Sequence, residues 1–145
     1  MLNATVNPDF GQVEADPSVL NLSAYETFYD EKRPFFSEGA NFFQNRLQLF
    51  HSRRIGKAPG YFSPDSGELE NIPGNTTILG AFKLMGTTRS GINYGIINAT
   101  TDEELGSLVN SNGQVEDFIV EPQTNYAVGR FEKSIINKFS RIGIM

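Results

Sequence analysis

The chain has 145 residues, 39% of them hydrophobic and 20% charged, and its 12 Lys and Arg against 17 Asp and Glu give a formal net charge of -5. This length suits about one domain, and the acidic balance argues against a nucleic-acid partner, which needs an excess of basic residues on one surface. The chain has no Cys, which excludes disulfides, thiolate metal sites and cysteine nucleophiles, and no stretch approaches the roughly 20 apolar residues of a membrane-spanning helix.

Residues 1–45 are rich in aromatic and acidic side chains and show no regular pattern. A brief strand is predicted over 12–16. Ser23 and Glu26 have the spacing of a capping box, in which each side chain bonds the backbone N–H of the other, and this predicts a short helix over 24–31. The first third of the chain is therefore expected to be an irregular segment that contains short helices.

Pro34 suits the first turn of a second helical piece, which is expected to end before Gly39. Two pairs of aromatic residues flank that glycine. Such pairs are found mostly in hydrophobic cores, so packing is the role predicted for Phe35, Phe36, Phe42 and Phe43.

From Arg46 onward the chain shows a two-residue alternation that is typical of strands. The first candidate alternates poorly because His51, Arg53 and Arg54 crowd its end. The later candidates alternate better, and the second of them places Ile78 and Phe82 on one face and Leu79 and Lys83 on the other. The five predicted strands cover 46–55, 78–87, 92–100, 125–134 and 139–145.

The connections between these strands alternate in length. Long segments at 56–77 and 101–123 alternate with short links at 88–91 and 135–138. Such an alternation is typical of an antiparallel up-and-down meander with short turns at one end and long loops at the other, as in outer-membrane β-barrels. The predicted fold class is therefore mainly β, with an irregular segment at 1–45 packing on the first strands of a truncated barrel at 46–145.

A soluble sheet predicts a similar pattern, so the choice between the two interpretations depends on the faces and edges of the sheet. The faces do not separate them, since Ala81, Gly95 and Ile97 lie beside Lys83 and Arg130. Five strands leave open sheet edges, whereas a bacterial barrel has at least eight strands, which favours a fragment of a barrel. A barrel wall should carry one continuous outer band formed by Phe82, Leu84, Tyr94, Ile96, Ile142 and Ile144.

Several motifs resemble a known family, and together they cover most of the chain. The motif Glu-Lys-Arg-Pro-Phe-Phe-Ser-Glu at 31–38 is the most specific. The other matching stretches lie at 6–16, 21–23, 49–56, 78–84 and 121–126. The family is a domain of unknown function in large Gram-negative envelope proteins, which usually follows a family-9-type carbohydrate-binding module and is sometimes labelled a membrane-associated hydrolase.

The resemblance implies the start of a C-terminal β-barrel in the bacterial outer membrane, linked to carbohydrate through an upstream module. It supplies no catalytic residue by position. The partners expected are therefore the outer membrane and, through that module, carbohydrate, with no nucleic acid and no cofactor. A soluble β-rich interaction domain and a membrane-associated glycan hydrolase are the alternatives.

A glycan hydrolase would need two carboxylates on either side of the scissile bond, one of them with a raised pKa. The sequence does not show which carboxylates converge, and the stretch from Asp9 lacks the spacing of a calcium loop, so no metal is expected. His51 is the single His, and the chain has no Gly-x-Ser-x-Gly elbow. Catalytic candidates are the carboxylates of Asp9, Glu14, Asp16 and Glu38.

Basic residues offer partners for these carboxylates. The N-terminal segment is expected to fold against or inside the mouth of the barrel, with its carboxylates bonded to Arg53 or Arg54. The competing hypothesis makes these two arginines a surface anchor or an anion site. The binding candidates are Arg53, Arg54, Glu31 and Arg33.

Overall fold

The computed structural model describes residues 1–8, 30–44, 49–60, 68–110, 112–135 and 140–145, with the backbone alone at 68–70. Within these ranges the chain forms eight strands, one short α-helix and two 3-10 turns. The helix α1 covers Pro34–Ser37, and the 3-10 turns cover Ala40–Phe42 and Ser52–Arg54. The strands are β1 (Leu2–Val6), β2 (Glu68–Asn71), β3 (Ile78–Thr87), β4 (Ile92–Thr101), β5 (Glu104–Val109), β6 (Val115–Glu121), β7 (Thr124–Ser134) and β8 (Arg141–Ile144). The mainly β, antiparallel class expected from the sequence is confirmed.

Five strands form one antiparallel sheet in the order β1-β3-β4-β7-β8. Strand β3 has the predicted bounds, while β4, β7 and β8 differ from the predictions by one or two residues at their ends. The short link between β3 and β4 is a turn in which the Gly91 N–H donates to the Thr88 carbonyl at 3.0 Å, and Gly91 has a φ of 78°. Strand β1, which the sequence did not predict, pairs with β3 from Leu2↔Leu84 to Val6↔Gly80.

The two long connections were predicted as loops, and this is wrong in part because they supply a second antiparallel sheet in the order β2-β5-β6. Strand β2 lies in the first connection, and β5 and β6 form a hairpin in the second. The turn of the hairpin is closed by bonds from Gly113 N–H to the Asn110 carbonyl and from Asn110 N–H to the Gln114 carbonyl, each at 2.9 Å. Gly113 has a φ of 75°, a conformation that glycine adopts without strain.

The strand predicted over 46–55 is wrong in its described part. Residues 49–51 have no regular structure, and the Ile55 N–H bonds the Ser52 carbonyl at 2.9 Å to close a 3-10 turn. The predicted strand is replaced by this turn at His51, Arg53 and Arg54, the residues that made its alternation poor. The predicted strand at 12–16 and most of the helix at 24–31 lie outside the described residues, and Asp30 and Glu31 are not helical.

The helical piece predicted at Pro34 is confirmed, with proline in its first turn. The Glu38 N–H donates to the Pro34 carbonyl at 3.1 Å, and Gly39 then leaves the helix with a φ of 69°. A Cβ on Gly39 would lie 2.4 Å from the Met85 sulfur. Glycine is therefore required here both by the backbone conformation and by the close approach of the sheet.

The inner face of the five-stranded sheet carries the core. Ala81, Met85, Ile97 and Ala99 are buried on this face, and residues 31–44 and 49–55 lie over them and contribute buried aromatic and aliphatic side chains. Gly95 permits the contact, because a Cβ there would lie 3.1 Å from atoms of both Phe42 and Phe43. The packing role predicted for the paired aromatics is confirmed: Phe36 and Phe43 are buried, and Phe35 and Phe42 pack against the core.

The opposite face of the sheet is open, and its middle part is apolar. The register places Leu84 beside Leu2 and Ile96, and Phe131 beside Tyr94 and Ile144. Phe82, Ile142 and Ile144 are exposed, and Leu84, Tyr94 and Ile96 are partly exposed. The six residues predicted to share one outer band therefore do lie on one face.

One residue predicted for that face lies elsewhere. Ile78 is buried in the core and pairs with Thr101, whereas Leu79 is exposed. The register shifts between Ile78 and Gly80, which marks a bulge at Leu79. An extra residue in one strand reverses the side-chain alternation beyond it, which accounts for the difference.

Candidate functional site on the inner face of the sheet

A densely bonded polar group on the inner side joins Glu31 to Arg33. The Glu31 carboxylate accepts from Arg33 Nε at 2.8 Å and from Arg33 Nη2 at 2.7 Å, a bidentate pair. The Ser52 hydroxyl donates to the same carboxylate at 2.6 Å. Both charged side chains are almost fully buried. A buried charge is stable only when it is paired and hydrogen-bonded, and this arrangement meets both conditions.

The guanidinium of Arg33 also binds the loop that follows. Its Nη1 donates to the Ile55 carbonyl at 2.6 Å, and its Nη2 donates to the Ser52 carbonyl at 2.9 Å. The Phe36 ring lies under the same group, 4.3 Å from centroid to guanidinium carbon. Arg33 lies just before α1 and has an extended backbone conformation. Pro34 restricts the backbone at the start of the helix, and the Arg33 side chain is thereby directed towards the loop. One side chain thus ties α1 to the second 3-10 turn.

The surroundings of Glu31 change its pKa in opposing ways. Burial raises it, whereas hydrogen bonds from Arg33 and Ser52 and the nearby positive charge lower it. The result is a pKa below the ordinary value of 4.5. Glu31 is therefore held in its ionised, hydrogen-bond-accepting form, which suits an ionic anchor rather than a general acid.

Lys83 forms a second anchor, directly on the sheet. It is only 1% exposed, and its Nζ donates to the backbone carbonyls of Phe35 and Glu38 at 2.5 Å each. The ammonium also lies 5.0 Å from the centroid of the Phe35 ring. These carbonyls lie in and just after α1 and have no partner within so short a helix, so the lysine satisfies them. Lys83 therefore fastens the helix to β3.

The pKa of Lys83 is lowered by burial, and the negative charge of Glu38 partly opposes that change. Glu38 itself is held at the surface, where its Oε2 accepts from Asn3 Nδ2 at 2.5 Å. Asn3 lies in β1 on the inner face of the sheet. The end of α1 is thus bonded to both β1 and β3.

A third anchor lies on β7. Arg130 donates through Nη1 to the Phe42 carbonyl at 3.3 Å and through Nη2 to the carboxylate of Glu132. Glu132 also accepts from Arg141 of β8, at 3.2 Å. This anchor bonds the first 3-10 turn to the sheet and joins the last two strands. Together with the other two anchors, it holds residues 31–44 and 49–55 on the inner face.

The structure brings together some of the predicted binding residues. Glu31 and Arg33 form the pair described above, whereas Arg53 and Arg54 lie in the second 3-10 turn, beside the Ser52 that bonds Glu31. The hypothesis that carboxylates bond Arg53 or Arg54 stays a prediction, as does the anion site. Of the catalytic candidates, Glu38 lies at the end of α1, and Asp9, Glu14 and Asp16 lie outside the described residues.

Three anchoring residues were not singled out from the sequence, namely Lys83, Arg130 and Glu132. The strand face on which they lie could have indicated this role. Each charged residue lies on the strand face that otherwise carries small or apolar residues, such as Ala81 and Met85 beside Lys83. A charge on such a face is costly unless it has a partner, so its presence indicates a bonded role.

Two further observations concern the described part of the chain. In it no group of three or more His, Asp or Glu side chains converges as metal ligands would. Within the same ranges no helix has both the length and the apolar character needed to cross a membrane.

Fold and site together define an antiparallel β-sheet domain whose inner face is covered by an ionically anchored segment from the same chain. The model of a family described as Domain of unknown function (DUF5916) matches residues 1–144. The chain belongs to this family. No curated protein and no solved structure matches the chain.

Proposed function

We propose that the five-stranded sheet forms part of the wall of an outer-membrane β-barrel, with residues 31–44 and 49–55 folded on its lumen side. The observation that carries this proposal is the contrast between neighbouring residues of β3. Lys83 is 1% exposed and points to the covered face, whereas Phe82 is 45% exposed on the open face. In a water-soluble sheet with one covered face, the open face is expected to be polar. An apolar open face suits lipid instead.

Strand length supports the same proposal. Strands β3 and β4 have 10 residues each and β7 has 11. A strand that crosses the hydrocarbon core at a tilt needs about nine to eleven residues. The central strands of this sheet are therefore long enough to span a bilayer.

The open face also changes along the strands. Near the short turn, Tyr94 of β4 lies directly beside Phe131 of β7, as in the aromatic belts at barrel–membrane interfaces. At the other end the face becomes polar, where Asn125 Nδ2 donates to Thr100 Oγ1 at 2.8 Å and Asn98 Nδ2 donates to Asn125 Oδ1 at 2.9 Å. Leu84 and Ile96 lie between these two levels. Aromatic, aliphatic and polar levels thus follow one another along the proposed membrane normal.

A role in carbohydrate handling at the envelope belongs to this proposal through the family resemblance alone, and no described residue carries it. The glycan-hydrolase alternative likewise stays a prediction. Its carboxylates at Asp9, Glu14 and Asp16 lie outside the described residues.

The chain has no native Cys, so single cysteines can carry a fluorophore without background labelling. We would place the label at Phe82 and Ile144 on the open face, and at Gln114 in the hairpin turn as an exposed control. Asn93, which is exposed on the opposite face of the same sheet, gives a second control. The full chain is folded into phosphatidylethanolamine–phosphatidylglycerol vesicles that contain lipids brominated on their acyl chains.

We expect the brominated lipids to quench the labels at Phe82 and Ile144 and to leave those at Gln114 and Asn93 bright. Equal quenching at all four positions would overturn the proposal. A folded monomer that stays in the aqueous phase would also overturn it and would favour the soluble interaction domain.

A further inference from the structure

The edge of the three-stranded sheet is a surface that none of the inner-face anchors uses. Within the described residues β6 has one neighbour, β5, so its other side is an open strand edge. Open edges present unpaired backbone groups, and proteins usually protect them with charged side chains, proline or a covering element. The sequence of β6, Val-Glu-Asp-Phe-Ile-Val-Glu, contains no proline, and its charged residues are all acidic. These charges repel an acidic strand and attract a basic one, so this edge is suited to accept a basic strand.

The register of the hairpin shows which residues face outward. The Asn110 N–H bonds the Gln114 carbonyl at 2.9 Å, and bonded pairs alternate with non-bonded pairs along an antiparallel ladder. This alternation places the backbone N–H and C=O groups of Glu116 and Phe118 in bonds to β5. The backbone N–H and C=O groups of Val115, Asp117 and Ile119 therefore point away from it. These are the groups that an added strand would bond.

The same three residues also share a side-chain face. Val115 is 58% exposed and Ile119 is 55% exposed, with Asp117 between them. Leu105 of β5 pairs with Ile119 and extends this exposed apolar row. An added strand would bury the aliphatic side chains of Val115 and Ile119, which lie one on each side of the Asp117 carboxylate.

The charge of this part of the chain defines the partner. Residues 101–123 contain six of the 17 acidic residues and none of the 12 basic ones. Glu116 and Asp117 of β6 are both exposed, and Glu116 accepts from Asn110 Nδ2 at 2.8 Å. An acidic strand directly opposite would be repelled, whereas a basic strand would be attracted.

We propose that β6 is a docking edge for an extended basic segment of a partner protein, which adds to the sheet as a fourth strand. Backbone bonds to Val115, Asp117 and Ile119 supply affinity. Specificity comes from a basic residue opposite Asp117, with an apolar residue two positions away on each side of it. The proposal does not depend on the membrane placement of the other sheet.

The probe is a capped peptide, Thr-Val-Lys-Arg-Lys-Val-Thr, in which the arginine can face Asp117 and the valines can face Val115 and Ile119. The charge-reversed peptide Thr-Val-Glu-Asp-Glu-Val-Thr is its control. Binding to the full chain is measured by titration calorimetry, and amide hydrogen exchange then reports which backbone groups are protected. We expect the basic peptide to bind and to protect the amides of Asp117 and Ile119.

Two variants test the edge itself. Asp117→Lys should weaken binding of the basic peptide by about tenfold or more, because it places like charges opposite one another. Ile119→Pro should abolish binding because it removes an outward N–H, and it breaks no bond to β5. Glu103→Lys makes the same change of charge as Asp117→Lys outside β6 and should change affinity by less than about threefold.

Four outcomes would overturn the proposal. The first is that the basic peptide does not bind, and the second is that the charge-reversed peptide binds equally well. The third is that Asp117→Lys and Glu103→Lys weaken binding to the same extent, which would indicate a diffuse charge effect. The fourth is that the β6 amides are already protected in a self-associated chain without peptide, which would assign the edge to a second copy.

Discussion

Glu31 and Arg33, two residues apart in the sequence, form a bidentate ion pair whose arginine also bonds two carbonyls of the loop at 52–55. The motif that carries the strongest family resemblance therefore contains the residues that attach the N-terminal segment to the following loop. Its aromatic residue Phe36 lies in the core beneath the arginine. Within this motif, Glu31, Arg33 and Phe36 thus act as one structural anchor.

Replacing Glu31 tests the strength of this anchor. Glu31→Gln keeps the shape of the side chain but leaves the buried Arg33 without its counter-charge, so we expect the free energy of unfolding to fall by about 3 kcal/mol. Urea denaturation monitored by circular dichroism gives this value. The exposed control Glu103→Gln should stay within about 0.5 kcal/mol of the natural chain. Equal effects of the two substitutions would contradict the anchor.

The same anchor predicts a dependence on acid. The pKa of Glu31 lies below its ordinary value of 4.5 in the folded chain, so its ionised form stabilises the fold above that pH. This contribution is lost as the pH falls below 4.5 through the lowered pKa. The difference in unfolding free energy between the natural chain and Glu31→Gln should therefore shrink over that range. A difference that stays constant with pH would show that Glu31 is not ionically paired.

Lys83→Met tests the second anchor, since methionine preserves most of the apolar stem but donates no hydrogen bond. The carbonyls of Phe35 and Glu38 lose their partner, and we expect a loss of about 1–3 kcal/mol of stability. Amide exchange should accelerate at 36–38 before it does in β4. Lys133→Met, at an exposed position of β7, is the matched control and should change neither quantity.

Lys83 also predicts a dependence on alkaline pH, with the opposite sign to that of Glu31. Burial lowers its pKa from 10.5, so the folded chain releases this proton more readily than the unfolded chain does. The contribution of Lys83 to stability should therefore rise as the pH rises towards 10.5. Comparison of the natural chain with Lys83→Met over this range isolates that rise. If the difference in unfolding free energy between the natural chain and Lys83→Met falls as the pH rises, folding favours the charged form of Lys83, which would contradict the prediction.

Gly39→Ala tests the close approach of the helical segment to the sheet. The substitution combines a strained φ of 69° with a clash against Met85, so we expect a loss of about 1–3 kcal/mol. Gly113→Ala has a similar φ of 75° but meets no atom within 4 Å. It should cost only the backbone strain, about 1 kcal/mol. The difference between the two variants, measured by denaturation, gives the cost of the clash.

Much of the sheet could be predicted from the sequence because its signals are local. The two-residue alternation located β3, β4 and β7, and Gly91 marked the turn between the first two. Pro34 and Gly39 set the start and end of α1. The failures were also local in origin: the bulge at Leu79 reversed the alternation. The hairpin at 104–121 was missed because its strands are short and acidic.

The candidate site was less predictable, since its members come from distant parts of the chain. Sequence alone named Glu31 and Arg33 and did not single out Lys83, whose bonded carbonyls lie 48 and 45 residues away. No local pattern reports a contact of that separation.

By itself, the sequence determined the class of fold and where its central strands run, because strand periodicity and turn chemistry depend on neighbouring residues. It also determined that two sets of side chains lie on opposite faces of each strand. Only the tertiary structure decided which face is covered, since this depends on where residues 31–44 and 49–55 pack. The tertiary structure also placed β1 beside β3, a pairing that no sequence pattern indicated. Both choices rest on contacts between residues far apart in the chain, and these contacts bury Lys83 and leave Phe82 exposed.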